Sequence, residues 1–318
     1  GHSFPTRRSS DLRVLHVSPD GEDAADGSRA RPWRTLSHAV AQLRPGDELR
    51  VHGGTWSETI ELSRSGTAEH PIRVVALEGA MLDYRDERDL RDVAVRISGS
   101  HVEVRGFSSH GRITGFELGD GLYPLNDVCA DEAAFHRGAD PARRDDFYCE
   151  GHTSAANHRV ENVIIDGRRP DGTRAVLDLP AGAKGWHNGV NVFDEAQDVV
   201  IRNYAMSRMR HGVFADGAEQ VRSVVNLTLE GLYVHHTRNY GARIVARESH
   251  IATPAREGGS GPRFWRYREG QRPDQVYLTE NLARRQTVRN LVIRSSVFHA
   301  NAFTDAATGE AYGNVLLQ

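Results

Sequence analysis

Three stretches of this 318-residue chain follow one template: DVVIRNYAMSRMRHG from Asp198, NLTLEGLYVHHTRNYG from Asn226 and NLVIRSSVFHANAF from Asn290. Each opens on Asp or Asn and then alternates apolar residues: Val199/Ile201, Leu227/Leu229 and Leu291/Ile293. Each places a further apolar residue at the same later offset: Met206, Val234 and Phe298. Two shorter copies start at His101 (HVEVRGF) and Asn162 (NVIIDGR). Period-two strands recurring at solenoid-like spacing predict stacked coils. The copies at Asp198 and Asn226 lie 28 residues apart, about one coil. The gap from Asn226 to Asn290 is longer, so it holds an excursion or an intervening coil. Residues 246–289, polar and rich in Arg, Gly and Pro, fit an excursion, and residues 118–160 fit a second. Long loops on a solenoid gather on one face, usually the binding face.

The N-terminal text is VLHVSPDGEDAADGSRARPWRTLSHAVAQLRPGDELRVHGGTWSETIELSRSGTAEHPIRVVA, residues 14–76. It predicts a strand, a Gly/Asp-rich turn, one helix over 35–43 and then strands only. Leu36, Ala39, Val40 and Leu43 fall at helical spacing, and Pro45-Gly46 stops the helix. A lone amphipathic helix before a long all-β run needs a partner surface, and the open end of a coiled stack offers one. This segment resembles the N-terminal cap and first turns of secreted right-handed parallel β-helix proteins. These form the pectate-lyase-like group, with chondroitinase-B-like and family 9 polysaccharide lyases and some β-helical glycosidases. The resemblance implies an all-β, single-stranded right-handed parallel β-helix (a solenoid) with a short N-terminal capping α-helix. It also implies a secreted or periplasmic carbohydrate-active protein.

The expected domain covers residues 13–318. Residues 1–12, GHSFPTRRSSDL, look like a translated sequencing adapter of metagenomic origin and are set aside. The chain stops on an apolar strand, Asn314 to Gln318, which suggests truncation at the C-terminus.

A net charge of -3 and a pI near 6.6 argue against a nucleic-acid partner. No apolar run approaches the roughly 20 residues that span a bilayer. Of 40 basic residues only Lys184 is a lysine, a bias that a GC-rich genome explains. Cys129 and Cys149 bracket the first excursion. In an exported protein they are expected to form a disulfide; two free thiols are the alternative. A monomer is expected.

The resemblance makes a uronate polysaccharide the expected partner and β-elimination the leading reaction. That reaction must neutralise a carboxylate, remove the C5 proton and protonate the leaving oxygen. Lys184 lies in KGWHNG beside Trp186 and is a candidate base, since burial or cationic neighbours lower a lysine's pKa. A surface lysine in a glycine-rich turn is the plainer reading. His211 is the other candidate base. Arg210 and Arg238 fall on consecutive coils and would hold the uronate; an acidic side chain between them is the alternative. Arg208, His235 and His236 extend this cationic stripe, which a solvated outer face would also explain. Trp186 and Tyr240 either stack on a sugar ring or fill the core. Arg202 is expected over Glu230, a structural ion pair.

A glycosidase would instead need two carboxylates, with Asp194, Glu195, Asp198 and Asp216 available. Asp194, Asp198 and Asp216 could also hold Ca2+. Asp20, Asp23 and Asp26 resemble a calcium loop or, more simply, Asx turns. A non-catalytic glycan-binding surface module is the third reading. The Asn-Gly…Glu…Arg…Gly signature of chondroitinase-B-like lyases, the Tyr-Gly-x-Asp-Pro-His run of alginate epimerases and the polygalacturonase Asp motifs have no counterpart here. No family's catalytic residues therefore transfer onto this chain.

Overall fold

A computed structural model describes residues 12–84, 93–111, 114–119, 135–136, 148–149, 159–179, 187–192, 195–216, 224–245, 288–301 and 313–317. Each repeat copy is one coil of three short strands. The Asp198 copy runs as Glu195–Arg202, Ala205–Ser207 and His211–Asp216; the Asn226 copy runs as Val224–Glu230, Tyr233–His235 and Tyr240–Val245. Equivalent strands of successive coils pair in parallel and build three sheets. Sheet 1 runs from Val14–Val17 to Val292–Arg294, sheet 2 from Gly54–Trp56 to Val297–His299, and sheet 3 from Ile60–Leu62 to Val315–Leu317. The chain is a parallel β-helix. No helix among the described residues is long and apolar enough to cross a membrane.

The 28-residue step is visible in the register. Val199 faces Leu227, Ile201 faces Leu229 and Met206 faces Val234, and all six side chains are fully buried. Tyr204 packs edge-on against Phe116 in the same interior, with ring centroids 5.6 Å apart. Thr228 pairs with Val292 and Leu229 with Ile293, so the Asn226 and Asn290 copies are consecutive coils with none between them. Paired strands reach into the ends of both expected excursions. Leu118 still belongs to a sheet 3 strand, while Arg159, Val160, Val288 and Arg289 already pair in sheet 1.

The residue that opens every copy has a backbone reason. His101, Asn162, Asp198, Asn226 and Asn290 all adopt a left-handed conformation, with φ of 55, 55, 56, 57 and 55°. Asn, Asp and His enter that region more readily than other side chains. Ladder pairing skips them: Gln197 faces Val225 and the register resumes at Val199 with Leu227. In the last three copies the side chains also bond from coil to coil. Asn226 Nδ2 donates to Asp198 Oδ1 at 2.6 Å, and Asn290 Nδ2 donates to Asn226 Oδ1 at 2.8 Å. Asn226→Gly should lose these bonds but keep the backbone, costing about 1 kcal/mol. Asn226→Ala should add left-handed strain of about 1–2 kcal/mol more. Urea midpoints test the ordering, and equal losses would contradict it.

A second column runs along the outside of sheet 1. Arg105, Asp166, Arg202, Glu230 and Arg294 stand in register with alternating charge. Arg202 lies over Glu230 as expected. The hydrogen bonds join Arg202 Nε to Asp166 at 2.8 Å and Arg294 Nη2 to Glu230 at 3.0 Å. Burial alone would raise the Asp166 carboxyl. Bonds from Asn203, the Arg168 N–H and Arg202 outweigh it and hold the group below the ordinary carboxylate range.

Helix α1 (Leu36–Ala41) buries Leu36, Ala39 and Val40 against strands Val14–Val17 and Ile60–Leu62. Its start is fixed by side chains: Thr35 Oγ1 accepts from the His38 N–H, and Glu58 accepts from the Leu36 and Ser37 N–H groups. Asp23 accepts the N–H groups of Arg34 and Thr35 and the Thr35 hydroxyl, while Asp26 accepts the Ser28 N–H. Asp26 thus makes an Asx turn, while Asp23 ties the backbone that enters the helix.

Candidate functional site

Sheet 2 buries one face and presents the other. Leu177, Met206 and Val234 point inward, and their neighbours Asp178, Ser207 and His235 alternate with them. The register extends this outward column to His110, Asp178, Ser207, His235 and His299. Its middle is structurally committed. Ser207 Oγ donates to Asp178 Oδ1 at 2.7 Å, His110 Nδ1 lies 3.9 Å from Asp178 Oδ2, and Arg208 is ion-paired to Asp178. Arg208 Nε also donates to the Leu179 carbonyl at 2.6 Å. Arg208 is therefore tied to the coil beneath it while its side chain stays exposed.

The end of the column is different. His235 Nδ1 lies 2.7 Å from His236 Nδ1. The His235 and His299 rings stack at 5.4 Å and 13°, with His236 edge-on to His299 at 6.0 Å and 76°. His299 Nε2 and Tyr233 Oη are hydrogen-bonded at 2.8 Å. Desolvation, then the neighbouring His236 and His299, holds His235 below the ordinary imidazole range. Sequence reasoning named His235 and His236 but missed Tyr233 and His299. The signal was present: His299 follows Asn290 at the offset by which His235 follows Asn226.

Beyond this column the chain turns from sheet 2 into sheet 3. The Arg238 N–H donates to the Met209 carbonyl at 2.7 Å and the Asn239 N–H to the Arg210 carbonyl at 2.8 Å. Tyr240 then faces His211, so one extra residue is taken up at this corner. Arg210 and Arg238 thus occupy consecutive coils, Arg210 half-buried and Arg238 exposed.

His211 is enclosed. It is 0% exposed and its ring stacks between Phe214 (5.0 Å) and Tyr240 (5.7 Å). Nδ1 accepts the Tyr240 N–H at 3.3 Å, and Nε2 meets no hydrogen-bond partner among the described residues. Burial, with Arg210 and Arg243 nearby, pushes its pKa down to about 2. In this setting the imidazole is held neutral and packed between two rings, while Nε2 stays without a hydrogen-bond partner among the described residues. Tyr240 is half-buried against the same ring.

Asp198 accepts from Asn226 Nδ2 at one oxygen and from Gln197 Nε2 at 2.9 Å at the other. Among the described residues no group of three or more His, Cys, Asp or Glu could hold a metal ion. Lys184, Trp186, Asp194 and Cys129 lie outside the described residues, as do the side chains of Asp216 and Cys149. Cys149 sits in a two-residue antiparallel pair, opposite Phe135.

Sheet 3 holds a buried carboxylate, Glu117, that the sequence did not flag. Glu117 is 2% exposed, accepts from Arg96 Nε at 3.2 Å and from Asn191 Nδ2 at 3.4 Å. Burial raises its pKa, against the pull of Arg96.

No family model matches the chain. The uncharacterized protein YwoF of Bacillus subtilis (strain 168) is 40% identical over 58 residues, 18% of this chain and 12% of that protein. Pectate lyase PEL9 of Emericella nidulans is 37% identical over 78 residues, 24% of this chain and 18% of that enzyme. The chain thus spans under a fifth of either relative's length. The crystal structure of alginate lyase from Paenibacillus sp. str. FPU-7 superposes with a TM-score of 0.51 at 14% identity, over 89% of this chain and 72% of that one. At that identity the likeness is one of fold.

Proposed function

We propose that this parallel β-helix of the pectate-lyase-like superfamily is an exported carbohydrate-active enzyme, a polysaccharide lyase that cleaves a uronate polymer by β-elimination. The observation that carries this reading is the juxtaposition at the sheet 2–sheet 3 corner. Arg210 and Arg238 occupy consecutive coils, and Tyr233, His235 and His236 precede Arg238 on its own coil, with His299 on the next. Guanidinium groups suit a uronate carboxylate because they bind it as a planar fork and stay charged. Imidazole and phenol are the groups that move protons near neutral pH.

The purified protein should generate ultraviolet-absorbing unsaturated ends from a uronate polymer. Arg238→Ala, at an exposed position, should raise KM roughly tenfold or more without altering the thermal midpoint. Hydrolysis by a carboxylate pair is the alternative, with Glu117, held by Arg96 and Asn191, as a candidate acid. Release of reducing sugar without new absorbance would establish that alternative and overturn the lyase reading.

A further inference from the structure

We infer that Tyr233 and His299 are the proton-transfer couple of this elimination, and that their spacing selects uronates whose 4-oxygen and 5-hydrogen lie on the same ring face. This rests on the lyase reading above. His299 Nε2 and Tyr233 Oη stand 2.8 Å apart, contributed by consecutive coils whose register pairs Tyr233 with Val297 and His235 with His299. Tyr233 is 37% exposed and His299 is partly exposed, so both belong to the surface. The parallel His235 ring and the edge-on His236 ring fix the orientation of the His299 imidazole. Base and acid are thus held in place by neighbouring coils of one column.

The chemistry balances within the pair. His299 Nε2, with its imidazole proton on Nδ1, takes the proton from carbon 5. The electrons of that C–H bond become the C4–C5 double bond as the bond from carbon 4 to the leaving oxygen breaks. That oxygen takes the hydroxyl proton of Tyr233. Imidazolium and phenolate are left hydrogen-bonded to each other, and one proton passing along that bond restores both.

Two reactive atoms a hydrogen bond apart cannot straddle a sugar ring. They serve only a hydrogen and an oxygen that project from the same face on adjacent carbons. In gluco- and manno-configured uronates the 4-oxygen is equatorial and shares a face with the axial 5-hydrogen. In galacturonate the 4-oxygen is axial and opposite that hydrogen. The geometry therefore points to a polymer of the first kind.

The test compares polymannuronate, polyglucuronate and polygalacturonate, reading unsaturated ends by absorbance. Product should come from at least one of the first two and not from the third. Tyr233→Phe and His299→Gln should each lower the rate roughly 100-fold or more, with unchanged thermal midpoints. Cleavage of polygalacturonate alone would leave the lyase reading standing and overturn this assignment, as would full activity in Tyr233→Phe. Absence of unsaturated product from all three polymers would remove the lyase reading, and this inference with it.

Discussion

Acidification from neutral pH should destabilise this protein before its carboxylates titrate, and His211→Gln should remove a large part of that sensitivity. The sign follows from the pKa of His211, lowered to about 2 in the folded state, against about 6.5 for an unperturbed imidazole. Below that ordinary value the unfolded chain binds a proton that the folded chain refuses, so stability falls as pH falls. The loss amounts to about 1.4 kcal/mol per pH unit for a single such group and continues towards the folded pKa. His16, His52 and His235 are also held low, desolvation being the first cause for each, and add to the slope with the same sign. The variant should therefore flatten the curve rather than level it. Gln retains an acceptor for the Tyr240 N–H but gives up the stack between Phe214 and Tyr240, so lower stability at pH 7.5 is expected as well. Urea midpoints at pH 7.5, 6.5 and 5.5 measure both effects. An identical pH slope in wild type and variant would show that His211 does not carry the linkage.

The coil pattern was legible in the sequence because each copy opens on a residue with two duties. Asn226 must both tolerate a left-handed backbone and bond to the coils on either side, and few side chains do both. The apolar alternation after it is equally local, since Leu227 and Leu229 face the core whatever lies above them. Charges were harder to place. Arg208 and Asp178 lie 30 residues apart, and sheet 2 registers Asp178 with Ser207, so a fixed 28-residue step does not show their ion pair. His211 carries the same letters as a catalytic histidine, but its burial is set by Phe214 on its own strand and Tyr240 on the next coil. Glu117 was missed for a related reason. Its environment is assembled from Arg96 and Asn191, and the latter is 74 residues away in sequence. Asp198 shows the same dependence on context: its place at the head of a repeat commits its side chain to Asn226 of the next coil.

Gly212→Ala should be among the most damaging single substitutions in the molecule, although it adds one methyl group. The dipeptides Thr114-Gly115, Asn188-Gly189, His211-Gly212 and Tyr240-Gly241 all mark the start of sheet 3 on consecutive coils. At each glycine the next coil passes unusually close. A Cβ on Gly212 would lie 2.4 Å from the Gly241 carbonyl oxygen and 2.5 Å from Val234 Cγ1. The same contact recurs below, where a Cβ on Gly189 would lie 2.5 Å from the Gly212 oxygen. The obstructing oxygen belongs to backbone already engaged between coils, so relief requires separating Tyr240–Val245 from His211–Asp216 and disturbing the buried Val234. Overpacking of this kind costs about 1–3 kcal/mol when side chains can yield. Here the loss should be at least about 3 kcal/mol, or the protein should fail to accumulate folded, because backbone atoms have less room to move. Gly313→Ala is the control, since no atom of the described residues lies within 4 Å of a Cβ built there, and its effect should stay within about 0.5 kcal/mol. Similar thermal midpoints for the two variants would mean that the coils are not packed as closely at Gly212 as these distances require.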